Sequence, residues 1–600
     1  MRSTPVHPPK PPIAIRVGVT GTLGHMDDDA LAPQIRSVLR LVKETVFSMH
    51  REPDSGYDPA AKPRLMLISA LAAGADQFVA DIALEEGYRL HVPLAYPRDK
   101  YVQLNFERNK LTQSQEHFDK LYAAAESKLE LDGIEAEPYD TAGSVLVGHS
   151  DLLLAIWDLG PGKGPGGTAD SVSKAIEARI PVVIFDSNAQ AATTLEYRDG
   201  PTRKPEELKP ILRDILQEGL RAPHTLSPED QERTKSEFRE ERENLKRFLK
   251  ESERRMDWSP FYQIIIRLLA LKMPTLRFRI GPYTESAEKA WAPVQDTQPD
   301  CARTFFQYFD MWPDSLAVYY ANWMRGIVCF SLVLGAIIID YVLAARLWPH
   351  TPPWLETVSA VLAPLSALLI WYANHRSVHR RWLQYRMLSE DLRNAALALA
   401  IGAPPWQSTS YRALADFQPN WVVFYTKACI RAFGIGNARL DGAYLSDYRA
   451  LLMDRVEGQY FYHQHRSELC TILNRHVRRF VFIAFLISFL GALLHILDVW
   501  FPWFGQHVGE DFVSNVVKGS LEFTVLSAAI AALAAQESFA KLAQSSSNTA
   551  IHLNQLAKDI ENAPLTGVAI REQAERAREE LRREHEDWYL LYSLREIEYS

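Results

Sequence analysis

Four apolar windows in the second half of the chain constrain its fold most. Gly326 to Ala345 is 20 residues with one charge, Asp340. Thr357 to Ala373 is 17 residues and Phe480 to Leu497 is 18, both without charge. Val516 to Ala535 is less apolar and carries Lys518 and Glu522. A helix needs about 20 mainly apolar residues to cross the hydrocarbon core. Four buried helices of a large soluble protein are the alternative, and the flanks favour a bilayer. His375, Arg376, His379, Arg380 and Arg381 follow the second window, and Arg475, Arg478 and Arg479 precede the third. The loop between the first two windows has one Arg, Arg346, and is rich in Trp and Pro. The loop between the last two carries Asp498, Glu510 and Asp511 beside Trp500, Phe501, Trp503 and Phe504. Basic residues inside and aromatics at the interface predict four spans with both termini cytoplasmic.

Intramembrane carboxylates are costly and usually face a bundle interior or water. Asp340 and Glu522 are therefore pore candidates. The fourth window is rich in Ala, and small residues let helices approach closely in lipid. Four spans supply few walls for a channel, so a homo-oligomer is expected.

A chain of 600 residues exceeds one ordinary domain. Its net charge is -8, from 66 Lys and Arg against 74 Asp and Glu, which argues against a nucleic-acid partner. The four cysteines, Cys301, Cys329, Cys429 and Cys470, form no CxxC pair, so neither a zinc knuckle nor a disulfide scaffold is expected. His463, His465 and His476 share one predicted helix without zinc-site spacing and read as surface positions.

The first third alternates apolar runs with helical patterns. Strands are predicted at Ile13 to Thr20, Arg64 to Ala70, Arg89 to Leu94, Leu152 to Trp157 and Pro181 to Phe185. Helices are predicted at Asp28 to Phe47, Ala75 to Glu86 and Ala169 to Arg179. Continuous β-branched runs separated by helices indicate a parallel sheet covered on both faces, a doubly wound α/β domain. Further along, Ser227 followed by Pro228, Glu229 and Asp230 is a helix start. The Glu/Lys/Arg-rich stretch to Arg255 reads as a solvated helix.

The fold class expected is thus an N-terminal Rossmann-like α/β domain followed by an α-helical transmembrane region. Residues 1–11 read as disordered and Pro-rich, 12–190 as the α/β unit and 191–322 as a charged helical linker. Residues 323–375 and 479–536 read as transmembrane hairpins. They are separated by a cytoplasmic helical region at 376–478 and followed by cytoplasmic helices at 537–600.

Three glycine turns follow strands of the α/β unit. VGVTGTLGH places Thr20 and Gly21 at the tip of the first strand. ISALAAGADQFVA supplies Ser69, Gly74 and Asp76, and GPGGTADS supplies Gly166, Gly167 and Thr168 before a helix. Ligands of open α/β sheets bind at the carboxyl ends of strands. Glycines let the backbone approach a phosphate, and a helix start offers free N–H groups. These turns point to nucleotide binding. The glycines at 18, 21 and 24 do not make a GxGxxG, and no P-loop lysine follows GPGGTADS.

In their order, the strand ending in VTG, the turn SALAAGADQFVAD and the run HSDLLLAIWD…GGT…A…IPVVIF resemble the SLOG superfamily. That group of Rossmann-like domains includes the DNA-processing protein DprA and the LOG phosphoribohydrolases. The resemblance covers roughly residues 12 to 187 and is closest to sensor-type members. It implies a nucleotide or NAD-derived ligand such as ADP-ribose, no required cofactor, and a pocket of Thr20, Gly21, Ser69, Gly74, Asp76, Gly166, Gly167 and Thr168. The LOG hydrolases carry PGGxGTxxE with a catalytic Glu; PGGTADSV here offers none at that place, which favours sensing over hydrolysis. The C-terminal half is similar in architecture to SLATT-type membrane effectors, two spans followed by a cytosolic helix. Together these imply a bacterial inner-membrane sensor that gates a pore in antiviral defence. The alternative is a membrane-tethered nucleoside hydrolase or NAD-consuming enzyme.

Overall fold

The computed structural model describes residues 7–22, 27–134, 137–158, 160, 164–188, 192–197, 202–254, 259–272, 282–283, 304–347, 354–405, 419–501 and 509–593. In its first part, β1 (Ala14–Gly21), α1 (Asp28–His50), β2 (Arg64–Ile68), α2 (Ala75–Glu85) and β3 (Arg89–Leu94) alternate. They are followed by α3 (Arg98–Val102), α4 (Thr112–Ala124), β4 (Ser127–Glu130), α5 (Pro138–Gly148) and β5 (Leu152–Trp157). Then come α6 (Thr168–Glu177), β6 (Val182–Asp186) and β7 (Thr194–Glu196). The β-branched and leucine-rich strands are buried along nearly their whole length, as a sheet covered on both faces requires. The sheet order is β7-β6-β5-β1-β2-β3-β4, extended by β8 (Ala438–Arg439) beside β4. All pairs are parallel except β6 with β7.

The rest of the described chain is helical: α7 (Leu208–Leu216), α8 (Pro228–Leu249), α9 (Ser259–Leu269), α10 (Met311–Leu347), α11 (Trp354–His375), α12 (Val378–Ala400) and α13 (Asn420–Phe433). After β8 follow α14 (Gly442–Trp500), α15 (Glu510–Glu537), α16 (Phe539–Asn562) and α17 (Gly567–Ser593). Ser227 caps α8 as its sequence predicts, accepting the Asp230 N–H at 3.1 Å. This helix is not fully solvated, because Leu245, Phe248 and Leu249 are buried against the core.

Two features join the later helices to the sheet. Asp151, just before β5, takes both Arg16 of β1 (3.1 Å) and Arg431 of α13 (3.0 Å), all three buried. Burial opposes the Asp151 charge, but the two guanidinium groups hold its carboxyl below the usual carboxylate range. The segment 7–11, expected to be disordered, lies against the same core: Pro8 and Pro9 are buried, and Tyr425 Oη donates to the Pro9 carbonyl at 2.6 Å.

The helices around the apolar windows repeat one pattern. In each unit a long helix (α10, α14) is followed by a shorter one (α11, α15). A serine in the left-handed region comes next, Ser377 (φ 50°) or Ser538 (φ 48°), and then a helix that packs back on the first (α12, α16). Among the described residues, two helices and not four are long and apolar enough to cross a membrane: Met311–Ile339 within α10, and Gly442–Trp500. The second and fourth windows are helical, as α11 and α15, but are not among these two.

Candidate functional site

The chain runs outward from β1 through β2, β3 and β4, then crosses to the other side of β1 to form β5. That reversal falls at the carboxyl ends of β1 and β5, the position at which open α/β sheets take their ligands. The first glycine turn lies there. Thr20 and Gly21 end β1 opposite Ala155 and Ile156, and Thr22 N–H donates to the Ile156 carbonyl at 3.0 Å. A Cβ on Gly21 would lie 2.3 Å from the Cβ of Ala75, so only glycine allows α2 to start so close to the strand. Gly74 caps α2 with φ 93°.

Ser69 and Asp76 turn inward. Ser69 Oγ accepts the Leu71 N–H at 3.1 Å and donates to the Asp76 carbonyl at 3.3 Å. Asp76 is buried, and its carboxylate accepts the Ala72 N–H at 3.4 Å. Burial pushes its carboxyl up to about 7, with the Ala72 N–H opposing the rise. Such a group can give or take a proton near neutral pH. Both residues shape the β2–α2 turn from beneath.

The third turn starts α6 on the far side of β5. Gly167 is the N-cap, without a side-chain cap of its own, and Thr168 is the first helical residue. Gly166 has φ 76°, and a Cβ there would strike the backbone of Tyr139 and Asp140 at 2.6 Å. Its N–H donates to Asp170 Oδ2 at 3.0 Å. Lys174 Nζ binds Asp170 (2.9 Å), Ser144 Oγ (3.1 Å) and Asp140. Burial alone would raise the Asp170 carboxyl, but Lys174 and the Gly166 N–H hold it low. The sequence reading missed this acid–lysine group, whose members are too far apart in the chain to form a motif. Two carboxylates beside one ammonium suit hydroxyl groups such as those of a ribose better than a bare phosphate.

A second contribution unforeseen from sequence comes from α5 and the chain after β3. Tyr139 Oη donates to Asn105 Oδ1 at 3.0 Å, and its ring meets Tyr96 edge-on at 5.6 Å. All eight predicted pocket residues thus lie at one edge of the sheet, in two groups flanking β5; Ser69 and Asp76 are inward members. Residues 23–26, 159 and 161–163, which would complete both turns, lie outside the described residues.

No protein-family model, curated protein or solved structure matches this chain. The likeness to SLOG and SLATT proteins therefore rests on the motif residues and the architecture alone.

Of the two pore candidates, Asp340 lies on α10 with its side chain outside the described residues, and Glu522 is half-buried on α15. No group of three or more His, Cys, Asp or Glu among the described residues could hold a metal ion. His463, read as a surface residue, is buried 3.6 Å from Glu584 because α17 folds over that face of α14.

Proposed function

We propose that this protein is a membrane-anchored sensor in which a nucleotide or NAD-derived ligand at the carboxyl ends of β1 and β5 changes the packing of an apolar helical bundle. The observation that carries the reading is the continuity between the two parts. The sheet that presents the glycine turns includes β8, and two residues later the same chain begins α14, which ends in an apolar window. A ligand preferring one state of the sheet would bias the bundle; one with equal affinity for both states would shift nothing.

The bundle is read as two hairpins crossing a bilayer. Val361, Leu368 and Trp371 of α11, Phe482 and Phe485 of α14, and Phe523 and Leu526 of α15 are exposed. Large apolar side chains this exposed on three helices suit lipid and are unusual in a soluble chain. Opening or assembly of a pore by several copies, in bacterial antiviral defence at the inner membrane, follows from the resemblance of the motif order and architecture.

The buried Asp76 favours a second reading, a membrane-tethered hydrolase of an N-glycosidic bond with this carboxyl as acid or base. One assay separates the two. Purified protein is incubated with ADP-ribose, NAD and a nucleotide panel, and both turnover and thermal midpoint are read. A sensor leaves its ligand intact and gains stability; turnover that is lost in Asp76→Asn establishes the enzyme. Gly167→Glu is expected to abolish binding while leaving the domain folded, because a charged side chain enters the turn. Unchanged affinity in calorimetry removes that turn from the site.

A further inference from the structure

A second concavity lies at the other end of the sheet. It is a cleft of about 470 Å³, formed where the loop after α1 meets α8, and lined by Lys10, Arg51, Tyr57, Arg242, Leu245 and Lys246 among others. That volume is within the range of small-molecule sites, roughly 300–1,000 Å³. Its walls are fixed: Tyr57 Oη donates to the Leu216 carbonyl at 2.5 Å, and Leu245 and Leu249 are buried.

Its charges are one-sided. Lys10 and Arg51 are exposed and have no carboxylate partner among the described residues. Arg242 gives Nε to the Leu220 carbonyl at 3.0 Å, and its side chain is exposed. Lys246 is neutralised by Asp54 at 3.0 Å, and Glu52 by Arg213 at 2.6 Å. The Nδ1 of His50, also in the lining, is buried without a partner. Uncompensated cations around a partly apolar cleft, in a chain of net charge -8, match a small anion with an apolar part.

We infer that this cleft binds a small phosphorylated molecule, its phosphate at the Lys10–Arg51–Arg242 rim and its apolar part toward the floor of the cleft. Occupancy is felt at the bundle through α8. Just past the end of that helix, Glu251 accepts hydrogen bonds from Tyr320 of α10 (2.7 Å) and from Arg381 (2.9 Å) and Tyr385 (3.1 Å) of α12. Displacing α8 therefore moves the acceptor shared by the first hairpin's two cytoplasmic ends.

The test is calorimetry on the full chain in nanodiscs of zwitterionic lipid, with adenosine monophosphate as probe and adenosine as the neutral control. It is run in the Gly167→Glu background to silence the other edge of the sheet. Adenosine monophosphate is expected to bind at least tenfold more tightly than adenosine. Lys10→Glu with Arg51→Glu should remove that advantage, and Lys10→Arg with Arg51→Lys should keep it. Both residues are exposed, so an unchanged thermal midpoint certifies the fold. Equal affinity for the two probes, no binding of either, or an affinity indifferent to the charge reversal overturns the proposal. Nanodiscs containing phosphatidylglycerol give the same affinity if the occupant is a free molecule. Loss of probe binding there assigns the cleft to a lipid headgroup and also overturns it.

Discussion

Asp151 is a single carboxylate on which two buried guanidinium groups converge, one from the first strand and one from a helix about 280 residues later in the chain. Removing it leaves Arg16 and Arg431 uncompensated in the interior. Asp151→Asn is expected to cost about 3–5 kcal/mol, the penalty of breaking a buried pair, and to lower the thermal midpoint. The pH dependence has a definite sign. The folded carboxyl lies below its unfolded value of about 3.9. Its contribution is therefore complete above that value and is lost as pH falls through the lower folded value. The Asn variant should show a shallower acid loss of stability than the parent; equal acid profiles would mean that the triad does not hold the sheet to α13.

At the scale of elements, the helix contacts are unusually charged. Glu390 of α12 receives Arg386 (2.8 Å) and Arg455 of α14 (2.8 Å), while Arg393 of α12 binds Asp310 (2.9 Å) before α10. Asp391, the neighbour of Glu390, has the opposite fate. Burial, helped by the charges of Glu390 and Glu586 and opposed by Arg582, pushes its carboxyl up to about 8. The folded protein therefore holds a proton that the unfolded chain releases from about pH 4 upward. Stability from this group falls as pH rises from about 4 to 8 and then levels. Asp391→Asn should flatten that fall and raise the thermal midpoint at pH 8 relative to pH 5. A parallel pH profile in the variant would refute the assignment.

Much of the elements' placement was legible in the sequence. Arg89–Leu94 and Leu152–Trp157 form strands where their apolar runs predict them, and the first, second and sixth strands match within two residues at either end. The strands that escaped notice, β4, β7 and β8, have two to four residues each. Short strands at or near a sheet's edge carry too little apolar periodicity to stand out. Of the site, the glycines were legible because tight turns select them. The Asp140–Lys174–Asp170 group and the amino-edge cleft were not, since each is assembled from segments distant in sequence.

For the molecule as a whole, the decisive surface is the one left uncovered. Phe482 and Phe485 are 66% and 67% exposed on α14, too apolar for prolonged contact with water. Phe485→Arg is expected to cost about 2.5–3.5 kcal/mol of insertion if that residue sits near the bilayer centre. In carbonate extraction of membranes, the parent should remain in the pellet and the variant should be partly released. Release of the parent would make the helices a soluble bundle.

The 59 residues of α14 form one unbroken helix, about 88 Å long at 1.5 Å per residue. Its near end is two residues from the outermost strand of the sheet. It is therefore a lever with its fulcrum at the sheet edge. A tilt of about 5° there sweeps the far end through roughly 8 Å, more than the pitch of a helical turn, about 5.4 Å. Under the sensor function proposed above, small rearrangements around a ligand would thereby be enlarged before they reach the apolar end, without any loop having to change its fold.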